Sequence, residues 1–204
     1  MKIEKYELTK KNKYNVFLSN GEVITLDERV ITENELLLKK ELTQELYDKV
    51  NRESRIYELV DISIKYISVR LRSIKEMRDY LKKKEEDIEL IDIAIDKLIK
   101  LGYLDDNKFA KAFIKDKLAF TNMGDYKIKM ELEYLGVSYE IIEENISLID
   151  NNLLEEKIKK QIDKDIRTNK KYSGTILKNK IYNHLVNAGY SKEKVITILN
   201  NYNF

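Results

Sequence analysis

Apolar residues recur at i and i+4 in three stretches that can be laid over one another. Met77 and Leu81 form the first pair, Ile128 and Leu132 the second, Ile181 and Leu185 the third. The pairs begin at 77, 128 and 181, so the copies are 51 and 53 residues apart. A spacing of four puts both members of a pair on one helix face. Self-similarity near 50 residues marks a tandem array of helical units. Units that small bury little core alone, so neighbours are expected to stack.

The surrounding pattern supplies three helices per unit. In 52–103 the helical stripes are Ile56, Leu59, Val60 and Ile64, then Met77 and Leu81, then Ile91, Ile95 and Leu98. In 104–150 they are Phe109, Ala110 and Phe113, then Ile128 and Leu132, then Ile141, Ile142 and Ile146. In 151–204 they are Leu154, Ile158 and Ile162, then Leu177, Ile181 and Leu185, then Val195, Ile196 and Leu199. The fold expected is mainly α, a tandem array of three three-helix, helix-turn-helix-like repeats.

Residues 1–51 read differently. Ile3–Leu8, Tyr14–Leu18 and Glu22–Leu26 alternate in part, and Ser19-Asn20-Gly21-Glu22 supplies a hairpin turn. A three-stranded β-meander is expected, followed by short helices near 28–38 and 43–51. A lone meander of this size is marginal, so helices must cover it.

Local cap chemistry sharpens the boundaries. Ser73 with Glu76 three residues on is a capping box. Gly102-Tyr103-Leu104, Gly136-Val137 and Gly189-Tyr190 each place an apolar residue just after a helix-ending glycine, at what read as equivalent helix ends. Asp106, Ser138 and Ser191 are expected to cap the helices that follow.

Composition narrows the chemistry. There is no proline, so nothing forbids long helices, and no cysteine, which removes disulfides and thiolate chemistry. The N-terminal residues lack the pattern of a signal peptide, and no run approaches the ~18 apolar residues of a membrane span. A cytoplasmic monomer with no cofactor is expected.

Net charge is only +2, but its distribution alternates with the repeat. From 52 to 84 ten basic residues face five acidic ones, and from 85 to 107 two face eight. From 108 to 129 the balance is six to two, from 130 to 156 none to eight, and from 157 to 180 nine to two. This is either dipole and solubility patterning on exposed faces, or basic segments gathered for a polyanion or an acidic protein groove.

Catalytic patterns are scarce. The single histidine, His184, shares a column with Tyr80 and Glu131 and reads as a tolerated position on an amphipathic helix. Asp105-Asp106 invites a metal or acid–base reading, but a pair following a glycine cap and preceding a helix suits amide capping better. No phosphate loop or nucleophile elbow is present. Tyrosine is abundant, at fourteen, and those inside the repeats among basic residues could stack on single strands, or half-bury between packed helices.

The stretch Tyr66-Ile67-Ser68-Val69-Arg70-Leu71-Arg72-Ser73-Ile74-Lys75-Glu76-Met77 resembles the Y-L-x-x-R-x-R-S-x-x-E-L opening of RecX proteins. Gly102-Tyr103-Leu104-Asp105-Asp106-Asn107-Lys108-Phe109-Ala110 is similar to that family's junction between its first two repeats. Ile128 to Val137 resembles its I-x-x-E-L-x-x-K-G-[IV] pattern, with Leu135 where lysine is usual. The resemblance covers about 52–204. It departs from the family at Lys83-Lys84-Glu85-Glu86, where no glycine follows the second helix. It implies a regulator, not an enzyme: a protein that binds RecA nucleoprotein filaments, generally inhibits them, and can bind single- or double-stranded DNA.

Contact candidates follow from the charge blocks alone. They are Arg70, Arg72, Arg78, Lys82, Lys83 and Lys84 in the first repeat, and Lys108, Lys111 and Lys115 in the second. Lys157, Lys160, Lys178 and Lys180 extend the set into the third. Two other readings compete. A stand-alone DNA-binding protein of helix-turn-helix type predicts steep salt dependence, but the near-neutral net charge argues against it. A metal-dependent enzyme would use Asp105 and Asp106.

Overall fold

In the computed structural model, which describes residues 1–9 and 12–204, strands β1 (Ile3–Leu8), β2 (Lys13–Leu18) and β3 (Val23–Asp27) form an antiparallel meander in the order 1-2-3. The pleat sends Val16, Leu18, Ile24 and Leu26 to one face, where all four are buried. That face is covered by Val30 and Ile31 of α1 (Glu28–Glu33), by Leu36 and Leu42, and by Val50 and Tyr57 of α2 (Gln44–Ile67).

The helix expected near 43–51 does not stop there. α2 runs unbroken for 24 residues. With no proline in the chain and no glycine between Gly21 and Gly102, no residue there terminates it. The helix expected over 28–38 is shorter, and a 3-10 turn at Leu36–Leu38 follows it. Glu35 there takes a left-handed conformation, with φ 51°, which breaks the run.

The chain divides into two compact units. The first comprises Met1–Arg72 and Met77–Leu104, and the second Ser73–Glu76 and Asp105–Phe204. In the first, the later turns of α2 pack on α4 (Ile88–Lys100), burying Leu59, Val60, Ile91, Ala94, Ile95 and Leu98. Helix α3 (Ile74–Leu81) contributes Met77 and Leu81.

The second unit holds two three-helix groups. α5 (Asp106–Phe120), α6 (Asp125–Tyr134) and α7 (Tyr139–Ser147) enclose Phe109, Ile114, Ile128, Leu132, Val137 and Ile142. α8 (Asn151–Thr168), α9 (Gly174–Asn187) and α10 (Lys192–Leu199) enclose Leu154, Ile158, Ile162, Ile181, Leu185 and Val195. All six residues of the two repeat columns are at most 1% exposed. Each such side chain contributes about 1.5–3 kcal/mol on burial, which is why the columns tolerate only apolar residues.

The caps form largely as expected. Ser73 and Glu76 exchange hydrogen bonds, each backbone N–H donating to the other side chain at 3.1 Å. Val137 N–H reaches back to Leu132 O, and Tyr190 N–H to Leu185 O, across Gly136 and Gly189, whose φ values are 82° and 93°. Gly102 makes the same turn, but it ends α4, the third helix of its group, whereas Gly136 and Gly189 end second helices. The N-cap of α5 is Asp105, not Asp106; its carboxylate accepts from Asn107 and Lys108 N–H.

Candidate partner-binding surface

Lys82, Lys83 and Lys84 follow the last turn of α3 and are exposed. Backbone N–H groups of Lys84 and Glu85 close that turn on Leu81 O, doing without a glycine. Three basic residues at a helix C-terminus also complement its dipole. Arg78 is engaged by Asp92 of α4 in an ion pair. Arg70 is exposed, and its guanidinium donates to Leu71 O at 2.9 Å.

Arg72 lies 3.9 Å above the Tyr66 ring, and Tyr66 stacks on Tyr80 at 4.0 Å with planes 7° apart. Two groups so close to one ring centre must take opposite faces. Tyr66 therefore has no face left on which a base could stack. In this pair the interleaved tyrosines and cations satisfy one another.

In the second unit the lysines divide by use. Lys157, from α8, donates to Leu118 O at 2.5 Å and Thr121 O at 2.8 Å, closing the C-terminal end of α5. Burial, with help from nearby Lys160, holds its ammonium below the usual lysine range. That is a capping role. Lys178 donates to Asn200 Oδ1 at 2.9 Å, and Lys180 sits 5.3 Å from the Tyr172 ring. Lys108 lies 3.6 Å from the Asp105 carboxylate. Lys160 is exposed on α8.

Lys111 and Lys115 are also exposed, one helical turn apart on α5. They border a groove of about 580 Å³ between α5 and the corner joining α7 to α8. Its apolar lining includes Ile114, Leu118, Leu148 and Leu153. Asn145 also lines it and is 4% exposed. Its amide N–H₂ donates to Asn107 Oδ1 at 3.1 Å and Ile141 O at 2.8 Å, while among the described residues its Oδ1 finds no donor. Sequence reasoning marked the two lysines and missed the groove. The signal was Leu148-Ile149 at a helix corner, where a polar turn is usual.

Both members of the acidic pair accept backbone N–H groups. Asp105 caps α5, and Asp106 accepts from Ile74 N–H at 2.9 Å. Burial raises the Asp106 carboxyl above its usual range, opposed by the Ile74 N–H and reinforced by Asp105 and Glu76. Among the described residues no group of three or more His, Cys, Asp or Glu side chains lies together as a metal site would need. His184 Nδ1 lies 2.6 Å from Oδ2 of Asp165, which is buried and also accepts from Gln161. His184 is thus tied to its neighbouring helix and is more than a tolerated amphipathic position.

The fold defines a tandem helical-repeat protein of the three-helix, helix-turn-helix-like kind, with a small sheet at its N-terminal end. Residues 61–98 match the first three-helix domain of RecX, and residues 105–144 match the second. A regulatory protein RecX of Listeria monocytogenes serotype 4a is 32% identical over 195 residues, 95% of this chain and 72% of that one. Another, from Halalkalibacterium halodurans, is 31% identical over 195 residues, 93% of this chain and 73% of its own. A solved regulatory protein RecX superposes with a TM-score of 0.87 at 20% identity, covering 98% of this chain and 99% of that one, a likeness of fold. RecX from Lactobacillus salivarius gives 0.68 at 26%, covering 72% of this chain and 96% of its own. This chain belongs to the RecX family. The likeness over 195 residues extends past 52–204 into the N-terminal sheet region. Among the described residues no helix is long and apolar enough to cross a membrane.

Proposed function

We propose that this chain is a non-catalytic regulator that binds RecA filaments on single-stranded DNA and lowers RecA activity in recombination, DNA repair and the SOS response. It acts in the cytoplasm as a monomer. The observation that carries this reading is the 32% identity over 195 residues to a protein named as the regulatory protein RecX. Two features of the surface support it. Lys82, Lys83 and Lys84 stand exposed at the end of α3, and Lys111 and Lys115 border an apolar groove. Exposed cations of this kind accelerate encounter with a polyanionic filament, and an apolar groove supplies lasting contact.

The test is ATP hydrolysis by RecA from the same organism on single-stranded DNA, with and without this protein. A dose-dependent fall at substoichiometric amounts is expected. Unchanged hydrolysis, together with tight salt-sensitive DNA binding by this protein alone, would replace the reading with that of a DNA-binding protein.

A further inference from the structure

We infer that the groove between α5 and the α7–α8 corner seats an acidic amphipathic peptide segment of the regulated partner. The inference rests on reading the chain as a protein-binding regulator.

The geometry of α5 sets two parallel rows. Ile114 and Leu118 are four residues apart and face the groove, and Lys111 and Lys115 form a second row one turn apart beside them. An occupant therefore meets apolar surface along its centre and positive charge along one edge. A helix or extended segment with apolar residues on one side and carboxylates flanking them matches both rows.

The lysines are available for this. Among the described residues neither Lys111 nor Lys115 has a carboxylate within ion-pair distance. The nearby Asp150 carboxylate is committed to capping α8 through Asn152 N–H at 2.9 Å. The Oδ1 of Asn145 adds a specific demand. A buried carbonyl oxygen without a donor among the described residues is costly, and an occupant N–H that reached it would relieve that cost. A peptide carries such donors along its whole backbone. A nucleic-acid strand fits less well: among the described residues no aromatic side chain lines the groove to stack a base, and its middle is apolar.

The chain contains no tryptophan, so Leu148→Trp creates a single reporter in the groove. Leu148 is 72% exposed, so the larger ring is accommodated in solvent. The probe is an 18-residue helical peptide with leucines on one face and glutamates elsewhere, compared with a twin carrying lysines in place of glutamates. The expected result is a saturable blue shift with the acidic peptide and none with the basic twin. Adding Lys111→Glu and Lys115→Glu should weaken the acidic peptide by about tenfold or more.

No shift, or an equal shift with both peptides, overturns the inference. A stronger response to an oligothymidine strand also overturns it and assigns the groove to nucleic acid. The RecA assay is run beside it on the full chain. RecA inhibition without a peptide response removes the groove assignment alone. A peptide response without any effect on RecA removes the recombinase reading alone.

Discussion

Gly124 and Gly189 meet backbone to backbone. A Cβ on Gly124 would lie 2.3 Å from the carbonyl carbon and oxygen of Gly189, and Gly124 N–H donates to Ala188 O at 2.9 Å. Tyr126 N–H adds a bond to Gly189 O at 3.1 Å. The start of α6 is thereby capped by the turn that ends α9. An analogous joint forms at the start of α3, where Ser73 Oγ–H donates to Leu135 O and Lys75 Nζ to Tyr134 O, both at 2.7 Å.

The first prediction follows from that contact. Gly124 has φ −80°, which any residue adopts, so Gly124→Ala fails for steric reasons alone. The cost expected is about 1–3 kcal/mol. Gly189→Ala adds left-handed strain to a clash with Lys127 backbone and should cost more. Gly174→Ala meets no atom within 4 Å and carries only the left-handed strain of φ 56°, so it should cost less than Gly189→Ala. Thermal unfolding of the three variants checks the order.

Asp106 offers a test with a pH sign. Its folded carboxyl titrates above the usual range, first because of burial. The folded state therefore holds the proton more tightly than the unfolded chain. The contribution to stability is present at low pH and falls as pH rises through the ordinary carboxylate range toward the raised value. Asp106→Asn keeps an acceptor for Ile74 N–H without the charge, so at pH 7 it should match or exceed the native protein. Asp106→Ala strands that N–H and should lose about 1 kcal/mol. Urea unfolding at pH 4 and 7 decides it: an asparagine variant that falls further behind the native protein as pH rises refutes the account.

Lys157 separates structure from binding. Its two bonds to the end of α5 make Lys157→Met costly, by about 1.5–3 kcal/mol, because a charged donor is lost from two half-buried carbonyl acceptors. Lys160→Met, at an exposed position, should change stability by less than about 0.5 kcal/mol. Chemical denaturation of the pair is the measurement. Equal stabilities would return Lys157 to the set of contact candidates.

Reversing Lys82, Lys83 and Lys84 to glutamate tests the proposed filament contact. The three side chains are exposed, so the stability lost should be confined to their interaction with the helix dipole, about 0.3–1 kcal/mol each. The concentration giving half-maximal inhibition of RecA should rise several-fold and become less sensitive to salt. An unchanged titration curve would show that this cluster takes no part.

Much of this protein was determined by residues acting on near neighbours. The columns Met77, Ile128, Ile181 and Leu81, Leu132, Leu185 give the repeat, because the helical period is a property of the backbone. The Ser73–Glu76 box and the turns at Gly136 and Gly189 were legible for the same reason, since their partners lie within five residues. Tertiary structure decided what depends on residues far apart in the chain. It carried α2 past 51 because both the sheet and α4 needed covering by one helix. It took Lys157 out of the exposed charge and gave Asp106 a partner 32 residues away. It also set Lys111 and Lys115 beside Asn145 and Leu148 around one groove. Charge and hydropathy name the groups a chain can offer; the packing of its helices settles which of them remain free to meet a partner.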